Sequence, residues 1–303
     1  YAFDAAGLPD TGNEAFNVSP EPTKAGQVTG TTTRVLNTAD WLTSVNYYDK
    51  KGRVIQTVSD NYVGGRDVIS SRYSFTGEIL ESRQHHTSGA EHGSEDFWII
   101  REYEYDHARR LTAEYQTVEN GARVLLAENT YNALGELVDK KLHQEGGNPE
   151  KQSVDYRYNI WGWLTHIYNS ALSVEAGIND EAGDYFGMEL YYTQTGAVGS
   201  NTAQFNGNIA AVAYQNQNRL QEQGYAYQYD AINRLGKAEY YNLTTATQNG
   251  MYDVTGPGNG MIQYDENGNI ERLLRYTYDN TGNGRALMDD LSYTYAAGGN
   301  QLT

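Results

Sequence analysis

Tyrosine and other apolar residues alternate with polar residues along most of the chain, and turn-forming residues interrupt the alternation at intervals. The alternation is clearest just before an interruption, as at Tyr225, Tyr227 and Tyr229. A period of two puts such side chains on one face of a β-strand. The pattern therefore predicts short strands joined by tight turns. The stretch from Trp161 to Tyr192 is less regular, and we expect a short helix there, around Ser173–Ala176.

The interruptions share a motif in which a Tyr-Asp or Tyr-Asn pair precedes Gly at the fifth position and an aliphatic residue at the seventh. The clearest copies are YDKKGRV from Tyr48, YNALGEL from Tyr131, YNIWGWL from Tyr158 and YDENGNI from Tyr264. Weaker copies begin at Phe3, Tyr73, Tyr105, Phe205, Tyr229, Tyr278 and Tyr295. Repetition at this spacing is typical of an array of small supersecondary units.

The motif has a physical explanation. The Asp or Asn side chain can accept hydrogen bonds from backbone amides two residues on, and Gly can adopt a positive φ. Together they predict a tight turn that ends in a β-bulge, after which the aliphatic residue begins the next strand. The residues that we expect to form these turns are Tyr48, Asp49, Gly52, Tyr131, Asn132, Gly135, Tyr158, Asn159, Gly162, Tyr229, Asp230, Tyr264, Asp265 and Gly268.

The predicted fold is all-β, with repeated β-hairpins stacked into one sheet. A single hairpin cannot bury its aromatic face, so neighbouring hairpins must cover each other. We expect one repeat region over residues 1–303, with no internal domain boundary, and polar loops at 12–33, 85–96, 144–153, 177–184 and 244–258. The chain begins and stops within repeats and carries no recognisable caps, so we expect it to be part of a longer protein.

Composition and charge narrow the classes of partner. Asp and Glu number 39 against 22 Lys and Arg, which gives a formal net charge of −17. Such a surface repels phosphate backbones and anionic lipids, so we expect neither nucleic acid binding nor membrane insertion. The sequence has no Cys, which excludes disulfides and thiolate chemistry. No apolar run reaches the ~20 residues that a transmembrane helix requires.

The repeats resemble the Rhs or YD-repeat family, whose relatives include toxin-complex shell proteins and teneurins. The resemblance covers essentially the whole chain and is strongest in YNIWGWLTHIYN from Tyr158, YFGMELYY from Tyr185 and FNGNIAAVAY from Phe205. It implies a β-sheet that spirals into a shell, like a wall of hairpins, around a variable C-terminal effector. It also implies a secreted or surface-exposed bacterial protein used in competition or as a toxin carrier. Its implied partners are its own effector, secretion machinery or a chaperone.

The function that we expect is structural: a scaffold that encloses or presents an effector lying outside this chain. Nothing before Thr303 resembles the segment that carries autoproteolytic activity in many family members, and no catalytic motif is present. We therefore expect neither an enzyme nor a cofactor. The alternative is an adhesin-like extracellular module that contacts glycan or a partner protein. In this alternative the Tyr-rich strands and acidic loops make the contact. Separately, Trp41, Trp98, Trp161 and Trp163 are candidates for stacking against sugars, although packing is the favoured interpretation.

Two groups of residues are weak metal candidates. His85, His86 and His92 lie near Glu91 and Asp96, but their spacing matches no zinc motif. A partial calcium-loop pattern comprises Asp279, Thr281, Asn283, Gly284 and Asp290, in which Asp stands where the loop requires Glu. We favour polar loops and a repeat turn over metal sites. The paired carboxylates Glu102 with Glu104 and Asp289 with Asp290 lack a predicted cleft that would make them catalytic.

Overall fold

The computed structural model describes residues 26–176, 183–218, 221–246, 248–279, 284–296 and 299–303. These residues form nineteen β-strands and two single-turn 3-10 helices, Ala90–His92 and Pro257–Asn259. The all-β prediction is confirmed. All pairings with a resolved register are antiparallel, as expected for hairpins. The chain divides into two compact units. One comprises residues 1–130 and 140–153, and the other comprises residues 131–139 and 154–303.

The first unit is a meander in which each strand pairs with the next one in sequence. Its strands are β1 (Gly30–Arg34), β2 (Trp41–Tyr48), β3 (Val54–Asp60), β4 (Arg66–Tyr73), β5 (Ile79–Thr87), β6 (Asp96–Tyr105), β7 (Leu111–Val118) and β8 (Val124–Tyr131). The next strand, β9 (Leu137–Gln144), crosses the boundary between the units. β2, β4 and β6 each end at the Tyr of a repeat, so the motif sets the strand ends.

The second unit continues the pattern with β10 (Gln152–Tyr158), β11 (Leu164–Ile167), β12 (Phe186–Tyr191), β13 (Ala211–Asn216), β14 (Gln223–Tyr229) and β15 (Leu235–Asn242). It ends with β16 (Val254–Thr255), β17 (Gln263–Tyr264), β18 (Ile270–Asp279) and β19 (Gly284–Ser292). Successive strands pair up to β16. The short strands β16 and β17 both pair with β18, which then pairs with β19.

The helix predicted around Ser173–Ala176 is wrong. These residues form an irregular loop, and Leu172 before them has a positive φ of 52°. The Asn169 side chain explains the loop, because its Oδ1 accepts the Ser173 amide at 2.9 Å and its Nδ2 donates to the Ser173 carbonyl at 2.7 Å. An Asn that hydrogen-bonds to nearby backbone in this way competes with helix formation.

Some predicted loops are shorter than expected. His85 and His86 belong to β5, and Asp96 begins β6, so the loop between them spans 88–95. β1, β10 and β16 likewise begin inside the predicted loops at 12–33, 144–153 and 244–258. Polar side chains on the exposed positions of a strand end look like a loop in sequence. The repeat copy at Phe3 lies outside the described residues, as does most of the loop predicted at 177–184.

The two faces of the β12–β15 sheet differ in how they are covered. One face carries Ala211 and Ala213, which form a buried cluster with Val198 from the preceding loop. Small side chains suit this face because the loop lies close: a Cβ on Gly224 would stand 3.0 Å from the Val198 Cγ1 and 2.6 Å from a carbonyl oxygen of β13. Tyr191 and Tyr241 pack against the edge of this cluster, whereas the opposite face carries Met188, Leu190 and Val212 together with the tyrosines of β14.

Candidate functional site: repeat turns and a tyrosine-lined groove

The repeat turns share one geometry, which the first well-formed copy illustrates. The amide of Gly52 donates to the Asp49 carbonyl, and the amide of Asp49 donates to the Arg53 carbonyl, both at 2.9 Å. The Asp49 Oδ1 accepts the amides of Lys51 and Arg53 at 2.9 Å each. Gly52 has a φ of 82°, which only Gly adopts at low cost. The register slips by one residue between Tyr47 and Tyr48, so the turn ends in a bulge.

The same arrangement recurs at the other predicted turns. Asn132 and Asn159 each accept two amides, as do Asp230 and Asp106, and Asp265 accepts the amide of Asn269. Gly135, Gly162 and Gly268 have φ values of 88°, 75° and 87°. In the copies from Tyr105 and Tyr229, Arg109 and Asn233 stand in place of the Gly and adopt φ values of 65° and 67°. The geometry therefore persists where a side chain must bear the unfavourable φ.

An Arg at the sixth motif position closes three of these turns. The Arg53 guanidinium donates to the Asp49 Oδ2 from Nε at 2.7 Å, and Arg110 and Arg234 bind Asp106 and Asp230 in the same way. Burial acts to raise the pKa of Asp49, but amide hydrogen bonds and the charge of Arg53 hold that pKa below its ordinary value. The Asp carboxylate is thus an anchor for the turn.

The motif Tyr also binds its preceding repeat. In seven copies, the Tyr hydroxyl donates to the carbonyl of an aliphatic residue 19 to 29 positions earlier, and in five of the seven that residue begins a strand. Tyr73 to Val54 at 2.7 Å and Tyr264 to Leu235 at 2.7 Å are two of them. We call this contact the tyrosine clamp. The clamp ties each of these hairpins to an earlier one. The Tyr and the aliphatic residue that recur in the motif therefore connect repeats, in addition to forming the strand ends.

One clamp reveals a repeat that the sequence comparison missed. The Tyr192 hydroxyl donates to the Leu164 carbonyl at 2.9 Å, and Leu164 is the aliphatic residue of the copy from Tyr158. Tyr192 starts the sequence YTQTGAV, which keeps Tyr, Gly196 and Val198 at the first, fifth and seventh positions. Thr in place of Asp or Asn hid this copy. A search for Tyr, Gly and aliphatic spacing alone finds it.

The tyrosine clamp predicts a measurable contribution to stability. Tyr73→Phe should lower the free energy of unfolding by about 1 kcal/mol, because it removes one hydrogen bond and leaves the ring in place. Urea unfolding monitored by fluorescence measures the change. Tyr62→Phe is the control, since Tyr62 is 73% exposed, and should change little. Equal effects of the two substitutions would contradict a specific role for the clamp.

A groove of about 550 Å³ lies on the apolar face of β12–β15. Cross-strand pairs build it, since Met188 lies opposite Tyr214 and Leu190 opposite Val212. Its lining consists of Phe186, Met188, Leu190, Ile209, Val212, Tyr214, Tyr225, Tyr227, Tyr229 and Leu235. Three of these are the alternating tyrosines of β14, which confirms that they share one face.

The groove carries no charged lining residue. Burial raises the pKa of Tyr225 and of Tyr227, the latter to about 12, so these hydroxyls stay neutral at physiological pH. The Tyr229 hydroxyl is engaged in a tyrosine clamp with Ile209 at 2.8 Å. An apolar groove with a few tyrosine hydroxyls suits an apolar ligand that makes few hydrogen bonds.

The histidine candidates are not brought together. The His85 Nε2 lies 2.6 Å from the Asp96 Oδ1, and its ring stacks on Trp98 at 4.2 Å. The next residue, His86, points to the other face of β5, where its Nδ1 lies 2.7 Å from an Asp67 oxygen. His92 ends the 3-10 turn after the strand. Among the described residues, no three His, Asp or Glu side chains cluster in a way that could hold a metal ion.

The calcium-loop candidates that the structure describes also form no site, because they make other contacts. Asp279 ends β18 and pairs with Gly284 across the hairpin, whereas Thr281 and Asn283 lie outside the described residues. Asp290 accepts two hydrogen bonds from Arg272, at 2.8 and 2.6 Å. The other carboxylate pairs are bound by arginines as well. Asp289 binds Arg275, while Glu102 and Glu104 both face Arg123.

An ion pair in the second unit, between a buried carboxylate and a partly exposed Arg, was not predicted. The Asp253 Oδ2 accepts a hydrogen bond from Arg285 at 3.0 Å, and its Oδ1 accepts the Tyr240 amide at 2.7 Å. Arg285 also lies over the Tyr276 ring, 3.6 Å from its centroid. Burial raises the pKa of Asp253, despite the opposing effects of the Tyr240 amide and Arg285. Asp253 lies next to β16 and contacts Tyr240 of β15, and Arg285 of β19 contacts Tyr276 of β18. The pair therefore connects β15, β18 and β19.

Comparisons with known proteins give structural likeness only. No protein-family model matches the chain, and no curated protein matches it. Among solved structures, it resembles TcdB2-TccC3-TEV with a TM-score of 0.28 and 13% identity, over 86% of this chain and 13% of that one. TcdB2-TccC3-Cdc42 gives 0.25 and 12%, and the Photorhabdus luminescens Tc holotoxin pore gives 0.26 and 12%. In each of these two matches, the aligned region covers 88% of this chain and 19% of the other chain.

The chain therefore spans less than a fifth of the length of these toxin-complex structures. Scores this low do not assign a family, so the Rhs resemblance stays a prediction. Within the described residues, there is also no helix with the length and apolar character needed to cross a bilayer.

Proposed function

We propose that this chain is a structural repeat scaffold, part of the wall of an exported Rhs-like protein that encloses or presents another polypeptide. In this proposal the chain supplies a surface and contributes no catalytic groups. The partner is the protein's own effector, and the repeats hold the sheet that faces it. The groove on β12–β15 is the observation that carries the proposal.

Repeated, locked turns support a wall-like role. Six of the described turns anchor their own backbone through an Asp or Asn, and each tyrosine clamp ties a hairpin to an earlier one. Neighbouring turns also contact one another, since Arg53 donates to the Ser74 carbonyl and Arg234 to the Asp265 carbonyl. Such a sheet gains stability with each added neighbour, as in other repeat proteins. It is suited to presenting a fixed surface.

The lining of the groove indicates the chemistry of its occupant. All ten lining side chains are aliphatic, aromatic or Met, and Met adapts to varied apolar shapes. The net charge of −17 disfavours an acidic partner. We therefore assign the groove to an extended polypeptide segment with apolar side chains and a neutral or basic net charge.

A binding experiment with an unfolded polypeptide tests this function. Reduced and alkylated ribonuclease, which is basic and unfolded, should bind the chain, whereas folded ribonuclease should not. Met188→Lys should weaken binding at least about fivefold, because it buries a charge in the groove. Fluorescence anisotropy of the labelled polypeptide measures the affinity.

Gln215→Lys provides the matched control. Gln215 lies opposite Gly187 in the same sheet, on the face turned away from Met188. The substitution therefore adds the same positive charge outside the groove. The control should bind the unfolded polypeptide nearly as well as the unsubstituted chain. Equal weakening by both substitutions would show that net charge, and not the groove, governs binding.

A further inference from the structure

A stack of three aromatic rings stands at the turn of the repeat from Tyr158. The Trp161 and Trp163 centroids lie 5.2 Å apart, and Trp163 packs on Tyr192 at 5.0 Å. The amides of both tryptophans donate to the Asn159 Oδ1 at 3.0 Å. The turn therefore holds the stack in place, and Trp161, at its outer end, is 56% exposed.

Exposed amide side chains flank this stack. Gly207 lies against the Trp163 ring, and a Cβ at that position would stand 3.3 Å from the ring. The residues on either side, Asn206 and Asn208, both donate hydrogen bonds to the Asn233 Oδ1, at 2.6 and 3.2 Å. Asn206 and Asn208 lie in the turn from Phe205, and Asn233 lies in the turn from Tyr229.

We propose that the Trp161 ring and the amides of Asn206, Asn208 and Asn233 form a binding site for a neutral oligosaccharide. This site is separate from the groove and goes beyond the proposed scaffold function. A flat, rigid ring is suited to stacking against the C–H face of a sugar, at little entropic cost. The three amides bond to one another, and the Asn206 Oδ1 accepts the Asn208 backbone amide, but these contacts use only part of their capacity, so N–H donors remain for sugar hydroxyl groups.

The chemistry of the site favours this ligand over others. The three rings and three amides are uncharged, and the acidic chain opposes anionic polysaccharides and nucleic acids. A protein partner would be favoured by a pocket that buries its anchor residues, whereas the outer ring here is open. The other tryptophans differ, because Trp98 is covered by His85 and Trp41 lies on a strand of the first unit.

Titration with cellohexaose and with chitohexaose, followed by tryptophan fluorescence and calorimetry, tests the site. We expect at least one of the two to bind, and Trp161→Ala to weaken that binding about tenfold or more. Trp41→Ala is the matched control, because Trp41 is 58% exposed, and it should leave the affinity unchanged.

Asn233→Gly provides a second variant that does not depend on the ring. Asn233 has a φ of 67°, which Gly adopts readily, so the substitution removes the amide and preserves the turn. We expect about threefold to tenfold weaker binding, with a melting temperature lowered by no more than a few degrees, because the two lost hydrogen bonds are exposed to water. A saccharide that binds this variant and the unsubstituted chain equally would argue against the amide contribution.

Three results would overturn the proposal. The first is no binding of either saccharide at about 10 mM, a concentration at which even weak complexes form. The second is equal binding by the Trp161→Ala variant and the unsubstituted chain. The third is self-association in size-exclusion chromatography that Trp161→Ala abolishes, because the ring would then serve a protein contact.

Discussion

Replacing Arg285 with Met is expected to lower the free energy of unfolding by about 3 kcal/mol at neutral pH, because it leaves a buried carboxylate without its cation. Asp253 has a side chain only 8% exposed, and Arg285 is the cation that it contacts in the ion pair. The substitution also removes the contact between the guanidinium and the Tyr276 ring. Urea unfolding at several pH values measures the loss.

The pH dependence of that loss has a definite sign. Burial already raises the pKa of Asp253 in the folded chain, so ionising the carboxyl group costs stability as the pH rises from the unfolded value of 3.8 through the raised pKa. Removing Arg285 raises this pKa further. The difference between the variant and the unsubstituted chain should therefore be largest at neutral pH and shrink in acid.

Two other substitutions calibrate this result. Arg272→Met removes a bidentate pair with Asp290 from the same hairpin, but both side chains are over a third exposed, so we expect a much smaller loss than for Arg285→Met. Arg285→Lys keeps the charge and should recover part of the stability. A loss that does not vary with pH would indicate that Arg285 acts through packing and not through Asp253.

Replacing Asp49 with Ala should also cost about 3 kcal/mol, because two turn amides lose their acceptor and Arg53 loses its carboxylate. The Asp49 side chain is only 5% exposed, so water replaces these interactions poorly. Asp49→Asn is the matched control. It keeps the Oδ1 acceptor and should cost only about 1 kcal/mol, since Asn132 and Asn159 fill this position in other repeats.

The effect of Asp49 on stability should fade in acid. Its pKa is lower in the folded chain than the ordinary value of 3.8, so its contribution is present above that value and is lost as the pH falls through the folded pKa. Unfolding measured at pH 7 and near pH 2 distinguishes the cases. If Ala and Asn at this position were equally destabilising, the carboxylate charge, and not the turn acceptor, would be the important feature.

The turns were predictable because their interactions are local. Asp49 bonds to amides two and four residues ahead, and Gly52 needs a positive φ for steric reasons, so a seven-residue window contains the cause. The tyrosine clamp was not predictable in the same way. Its acceptor is a backbone carbonyl 19 to 29 residues earlier, and only the pairing register brings it into reach.

The candidate sites depend even more on tertiary structure. The alternation of residues along β14 predicted that its tyrosines share one face. The groove also needs Met188 and Leu190 of β12, which lies in a stretch whose sequence pattern was too irregular to predict a strand. Asp253 and Arg285 are 32 positions apart and meet through β18. The helix error near Ser173 arose from Asn169, whose local hydrogen bonds outweigh the helical propensity of the residues after it.

The tyrosine clamp has a consequence for how the chain acquires its structure. In each of the seven clamps, the acceptor carbonyl precedes the Tyr in the sequence, so the contact needs no residue that is synthesised after the Tyr. A hairpin can therefore be completed as soon as its own residues emerge during synthesis. Because loop closure over such short separations costs little entropy, growth from the N-terminal end needs no finished whole as a template.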